Sequence, residues 1–348
     1  MPPRTAAGSE PLHVSLLAIP EAAVSTLTGV FDVMNAFSIV PPDAGAPRTP
    51  PPFAVEIVGL SAGPLQLASG VPVTVQRSVA AVEATDIVIV PSVMIGPDGW
   101  RKGRYPELVA WLEAMHRRGA LLCSACSGIF LLAETGLFDG MPATVHFGYA
   151  RLFQAAFPDV AVFPERVLVI AGRREELITS GASMTWHDLV LYLIARHAGA
   201  TAAQTVARYF ALQWHQDGLA PYIVFEGRRD HGDSAVASAQ DWIAGHFAVA
   251  KPLVEMARCA GLPERTFKRR FASATGLSPI AYVQRLRVEE AKRRLERTEA
   301  PIDEISWQVG YEEPAFFRRL FRRLTGLAPG AYRRRFRMPD FARPASGA

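Results

Sequence analysis

Cysteine is scarce in this chain. Three residues, Cys123, Cys126 and Cys259, occur among 348. An odd handful does not make a disulfide framework, and a reducing cytoplasm is the expected setting. The eight histidines are scattered, and no Cys/His spacing suits zinc, so neither a metal nor a cofactor is expected. Long apolar runs are also missing. Nothing approaches the roughly 18 residues of a bilayer-spanning helix, so no membrane partner is expected. Met1–Glu10 lacks the apolar core of a signal peptide. What is present is 49% hydrophobic content over a length sufficient for two domains, each with a buried core.

The modest net charge of +4 conceals an asymmetry. From Ala235 onward there are 21 Lys+Arg against 12 Asp+Glu, a net of +9; before it there are 16 against 21, a net of −5. A mildly acidic body with a strongly basic end implies a polyanionic partner for the end alone. The body reads as alternating strands and helices. Strands are expected at Leu12–Ile19, Phe53–Leu60, Val71–Val75, Asp86–Val90, Ala120–Ala125, Ala143–His146, Val167–Ala171 and Leu177–Ser180, with helices between several of them. That alternation predicts an α/β domain with a largely parallel sheet. Pro41–Pro52 holds six prolines and reads as an irregular loop. Polar Gly227–Ser234 marks a junction. The expected division is 11–226 for the α/β domain, 227–235 for a linker, 236–337 for a helical domain and 338–348 for a disordered tail.

The basic end contains a repeat. Gly276-Leu277-Ser278-Pro279-Ile280-Ala281-Tyr282 returns fifty residues later as Gly326-Leu327-Ala328-Pro329-Gly330-Ala331-Tyr332, and Phe267-Lys268-Arg269-Arg270-Phe271 returns as Phe317-Arg318-Arg319-Leu320-Phe321. Each unit reads as a short helix, a glycine turn and a basic amphipathic helix, which is a helix-turn-helix. The phenylalanines face inward. Arg265, Lys268 and Arg269 in the first unit, and Arg318, Arg319 and Arg322 in the second, face outward, where arginine can grip phosphates or guanine edges. A joining helix at Pro279–Arg297 would be about 28 Å long. That suits two recognition helices entering major grooves about 34 Å apart.

The second chemical feature is Leu121-Leu122-Cys123-Ser124-Ala125-Cys126-Ser127-Gly128-Ile129-Phe130: an apolar strand, a small-residue turn, then a helix. A cysteine on such a turn stands at the carboxyl end of the sheet, above a helix N-terminus that favours thiolate. His146 follows twenty residues on and is a candidate base or hydrogen-bonding partner. Three roles stay open for Cys126: lining a ligand pocket, inert packing, or reactivity as a nucleophile or redox group. Cys123 and Cys126 match a redox spacing, but residues three apart on a strand point to opposite faces.

The segment Val236–Phe336, through Ile305-Ser306-Trp307-Gln308-Val309-Gly310-Tyr311 and Gly326-Leu327-Ala328-Pro329, resembles the AraC/XylS family of transcription regulators. The family usually has alanine where Ser306 stands and often serine where Ala315 stands. The cysteine turn, with Leu131–Gly140 and Ala143-Thr144-Val145-His146, resembles the ThiJ/PfpI branch of the class I glutamine amidotransferase-like superfamily. The order of the two halves is that of GlxA-type regulators. The resemblance implies a flavodoxin-like parallel sandwich that senses a small, nitrogenous metabolite, followed by an all-α DNA-binding domain, in a homodimer acting on double-stranded DNA. It implies Cys126, Ser127, His146, Phe147, Thr26, Ser92 and Val93 as ligand-site residues. The acidic residue that enzymes of the superfamily set against the cysteine is Thr26 here. The Pro-Gly-Gly loop of relatives reads Pro91-Ser92-Val93, and Phe147 follows the histidine where tryptophan is common. The first two departures point away from catalysis. The alternatives are a cysteine-dependent hydrolase or glyoxalase-like enzyme, or a redox sensor, fused to a DNA-binding module.

Overall fold

A computed structural model describes residues 10–39, 50–339 and 342. The chain divides into two compact units between Leu219 and Ala220.

The first unit is built on a seven-stranded sheet. Its strands are β1 (Leu12–Leu17), β2 (Phe53–Gly59), β5 (Arg77–Ser78), β6 (Ile87–Val90), β7 (Leu121–Ala125), β10 (Leu168–Ala171) and β11 (Leu177–Ser180), in the order β10-β11-β7-β6-β1-β2-β5. All neighbours pair in parallel except β10 with β11 at one edge. β6 and β11 are buried along their whole length, as unbroken apolar or small-residue strands covered on both faces must be. Helices α1 (Val24–Met34), α2 (Pro106–Arg117), α3 (Ile129–Ala133), α4 (Ala150–Ala156), α5 (Trp186–Ala198) and α6 (Ala200–Tyr209) complete the unit.

One expectation differs from the fold. The strand expected at Val71–Val75 is present as β4 (Pro72–Val75). It pairs only with β3 (Gly63–Gln66) in a separate ribbon, where Pro72 has no central ladder to break. The strand expected to reach His146 is only β8 (Pro142–Ala143), paired with β9 (Ala161–Val162). The chain then turns, because the Thr144 N–H goes to the Thr179 hydroxyl (2.9 Å) instead of a strand neighbour. The proline-rich segment lies mostly outside the described residues, and so does the tail after Met338.

The second unit is helical: α7 (Ser234–His246), α8 (Pro252–Cys259), α9 (Glu264–Thr275), α10 (Pro279–Arg297), α11 (Ile302–Gln308), α12 (Pro314–Thr325) and α13 (Pro329–Phe336). It has two small cores, one around Phe267, Phe271 and Tyr282, the other around Phe317, Phe321 and Tyr332. The repeat extends to atomic detail. α9 and α12 end at Gly276 and Gly326, left-handed at φ 75° and 78°. Thr275 and Thr325 each donate to a phenylalanine carbonyl at 2.8 Å and accept from a leucine N–H at 3.2 Å. Residues 220–231, part of which was expected as linker, are packed within this unit. Lys292 Nζ donates to the Ile223 carbonyl (2.7 Å), the Phe225 ring meets Tyr282, and Gln240 donates to the Arg228 carbonyl (2.9 Å).

Candidate functional site

Two places carry chemistry. In the first unit, the chain leaves β1 for β2 on one side, while β6 lies on the other, so a crevice opens where the strand order reverses. In open α/β sheets this is the usual ligand position. The carboxyl ends of β1 and β6 are tied there: the Ala23 N–H donates to the Ser92 carbonyl (2.7 Å), and the Met94 N–H to the Glu21 carbonyl (2.8 Å).

Cys126 closes β7 next to this crevice. Its φ of 54° is the strained left-handed value of a nucleophile-elbow residue. The turn lies so close to β6 that a side chain at Gly128 would meet the Pro91 and Val90 carbonyls at 2.5 Å, so only glycine fits. Ser127 secures the approach. Its Oγ accepts from the Val93 N–H (2.9 Å) and donates to the Val93 carbonyl (2.6 Å). Thr26 Oγ1 donates to Ser92 Oγ at 3.1 Å. Thr26, Ser92, Val93, Cys126 and Ser127 are all buried. The sulfur lies 3.6 Å from Ser183 Oγ, on the turn leading into α5.

His146 is held apart from this cluster. Its Nδ1 accepts from the Gly148 N–H (3.0 Å), its ring stacks on Phe147 at 4.4 Å, and burial pulls its pKa below the usual imidazole range. Among the described residues no hydrogen bond joins it to Cys126. The structure thus pairs Thr26 with Ser92 and Ser127 with Val93 as buried neutral groups at the strand ends, leaves Cys126 buried against Ser183, and sets His146 and Phe147 half-buried beside one another. Cys123 lies within the sheet, fully buried, and burial drives its thiol pKa upward; all three cysteines are free.

Sequence reasoning missed an open cavity of about 710 Å3 that shares Glu21 and Met94 with the rim of the crevice. The loop Ile95–Arg104 forms its wall. Glu134 holds that loop by accepting from Trp100 Nε1 and the Gly103 N–H, both at 2.7 Å. Arg104 and Tyr105 both bind the Glu21 carboxylate. The available signal was Gly96-Pro97-Asp98-Gly99-Trp100, a turn-rich run with a tryptophan.

Also missed was a cluster of His187, Asp188 and His215. Asp188 accepts from the His215 N–H (2.9 Å) and pairs with His215 Nδ1 (2.7 Å), while the two imidazoles stack at 5.3 Å and 18°. Rings so nearly parallel send their in-plane lone pairs along separate planes instead of towards one point, which is unsuited to a shared metal ion. The cluster works instead as a pin for the segment after α6.

In the second unit, α9 and α12 present the expected cations. Arg265, Lys268 and Arg269, and Arg318, Arg319 and Arg322, are all exposed, as is Arg323. Lys268 pairs with Glu264 (3.6 Å), and Arg318 with Asp303. Arg270, adjacent in sequence, is withdrawn: it grips Asp233 through two bonds of 2.8 and 2.9 Å, and Asp233 caps α7.

The model of the DJ-1/PfpI family matches residues 47–196, and that of a helix-turn-helix domain matches residues 256–335. The chain joins a DJ-1/PfpI-family domain to an AraC-type helix-turn-helix domain. It is similar to the HTH-type transcriptional regulator CdhR of Pseudomonas aeruginosa, with 27% identity over 82% of this chain and 84% of that protein. It is also similar to the HTH-type transcriptional regulator GlxA of Rhizobium meliloti, with 28% identity over 59% of this chain and 63% of that protein. Among solved structures, an AraC family transcriptional regulator from Pseudomonas putida is 18% identical over 57% of this chain and 100% of that chain, with a TM-score of 0.47. No helix among the described residues is long and apolar enough to cross a membrane.

Proposed function

We propose that the protein is a sequence-specific DNA-binding transcription regulator whose DJ-1/PfpI domain senses a small nitrogenous metabolite. The observation that carries this is the doubled helix-turn-helix, which repeats down to its threonine caps and sets exposed arginines on both recognition helices. The effector site is the crevice at the ends of β1, β6 and β7. Because the groups around Cys126 are buried, the effector enters through the open cavity beside them, whose lining offers the Trp100 indole and charges of both signs, Glu21 and Asp98 paired with Arg104 and Arg101, and Lys102. The protein acts in the cytoplasm as a homodimer, and the effector shifts the balance between DNA-competent and incompetent arrangements by binding one of them better.

The DJ-1/PfpI domain serves as a sensor and not as an enzyme. Cys126 has no bonded base, and a threonine occupies the place of the acid. Turnover of amide or dicarbonyl substrates that disappears in Cys126→Ala would overturn this part. The main test is a mobility-shift titration of the full chain with duplex DNA from upstream of its own gene. Specific binding should weaken steeply between about 50 and 200 mM salt, and should change on adding the effector. Salt-insensitive or non-specific binding would sink the reading.

A further inference from the structure

The two recognition helices bury the same pair of phenylalanines but differ in the residues they expose. Offset by fifty, Phe267 matches Phe317 and Phe271 matches Phe321, and all four are buried. At the second and third helical positions, α9 has Arg265 and Thr266, while α12 has Ala315 and Phe316. Arg265 and Ala315 are exposed, and Phe316 is 39% exposed. Neither arrangement serves the helix that carries it. A cation in the first turn opposes the helix dipole. The inward side of α12 is already filled by Phe317, Leu320 and Phe321, which leaves Phe316 on the rim, its ring tilted against Tyr311 (5.7 Å). The charges differ in the same sense. In α12 the cations Arg318, Arg319, Arg322 and Arg323 all follow the first turn.

In a helix-turn-helix the first turn of the recognition helix meets base edges, while later cations meet phosphates. Arginine suits the paired O6 and N7 acceptors of guanine; alanine and phenylalanine suit the C5 methyl of thymine. Building on the DNA-binding reading, we infer that the first motif reads guanine through Arg265 and the second reads thymine methyls through Ala315 and Phe316. The bound site is therefore chemically asymmetric within one protomer's footprint, although the protein that reads it is a repeat.

The experiment begins with selection of a duplex from a random pool by the full chain. Affinities are then measured with each thymine replaced by deoxyuridine, which removes only the methyl, and each guanine by 7-deazaguanine, which removes N7. In the wild type, deoxyuridine should cost about fourfold per contacted methyl, at positions confined to one half of the site. Deazaguanine should cost about tenfold or more at a position in the other half. Phe316→Ala should abolish a deoxyuridine effect and keep the deazaguanine effect, and Arg265→Ala should do the reverse. Trp307→Ala removes another exposed aromatic (59%), from α11, and should keep both effects. A wild type indifferent to deoxyuridine, or a deoxyuridine effect undiminished in Phe316→Ala, overturns the inference while leaving DNA binding intact. Failure to select any sequence overturns the DNA-binding reading itself, and this inference with it.

Discussion

The strand ends of the α/β unit and the helix α10 of the helical unit bury their polar groups in opposite ways. At the strand ends of the α/β unit the buried groups are neutral and short: Thr26 bonds Ser92, Ser127 bonds the Val93 backbone, and the Cys126 thiol lies against the Ser183 hydroxyl. The helical unit buries full charges on long stems. Arg287 in α10 donates to the carbonyls of Phe247 (2.7 Å), Gly310 (2.8 Å) and Val249 (2.8 Å), with its guanidinium over the Tyr311 ring at 4.9 Å. Lys292 binds Glu289 and the Ile223 carbonyl. A neutral cluster loses little when one bond is exchanged for another, which suits the place proposed for an effector. A buried guanidinium tolerates nothing but its complete set of acceptors, which suits a part whose two recognition helices must keep one spacing.

The sharpest way to break this comparison is Arg287→Met. It should cost at least about 3 kcal/mol of helical-unit stability, since three carbonyls lose a charged donor; chemical denaturation followed by circular dichroism reads it. A loss comparable to a surface substitution would make the clamp ornamental. Next comes Gly310→Ala. The residue sits at φ 88°, and an added Cβ would lie 2.7 Å from the Ala248 carbonyl oxygen, so a loss of about 3 kcal/mol is expected. Its counterpart Gly261, at φ 63° with open space around it, should lose only about 1 kcal/mol on the same change. Equal losses would mean that backbone strain, not the closeness of the two motifs, dominates. Among the neutral groups, Ser127→Ala removes a hydroxyl that serves both the N–H and the carbonyl of Val93 and should cost about 1–2 kcal/mol in thermal unfolding of the first unit.

The smallest effect concerns Asp233, half-way between the two styles: charged, but near the surface. Arg270 holds its carboxyl below the usual carboxylate range. Because the folded pKa is the lower one, the pairing stabilises the fold above the unfolded value of about 3.9 and is lost as pH falls through the folded value. The stability gap between wild type and Asp233→Asn should therefore be present at pH 7 and shrink in acid. A gap that widens in acid would assign the wrong sign to the pair.

The helical unit was the more legible of the two from sequence, because its signals are local. Ser278-Pro279 starts α10, the glycines at 276 and 326 stop α9 and α12, and a repeat states each signal twice. The parallel strands of the first unit were legible as apolar runs. β3 was not: four half-exposed residues containing Gly63 and Pro64 have no period to show. The site was legible in its kinds of residue but not in its partners. Ser183 comes to Cys126 from 57 positions away, and His187 and Asp188 of α5 meet His215, which follows α6. Such meetings are made by tertiary packing, and no spacing along the chain encodes them.

The strap of residues 220–231 has a consequence for how such chains are recombined. Gly227 lies so close to Tyr282 that a Cβ there would fall 1.9 Å from its hydroxyl oxygen, and Lys292 spends a donor on the Ile223 carbonyl. A graft joined at the polar run near residue 230 would splice foreign backbone into a fitted groove and strand a buried ammonium. The exchangeable cassette begins at Ala220, so the seam along which a new sensor can be sewn to this reader lies ahead of the stretch whose composition advertises it.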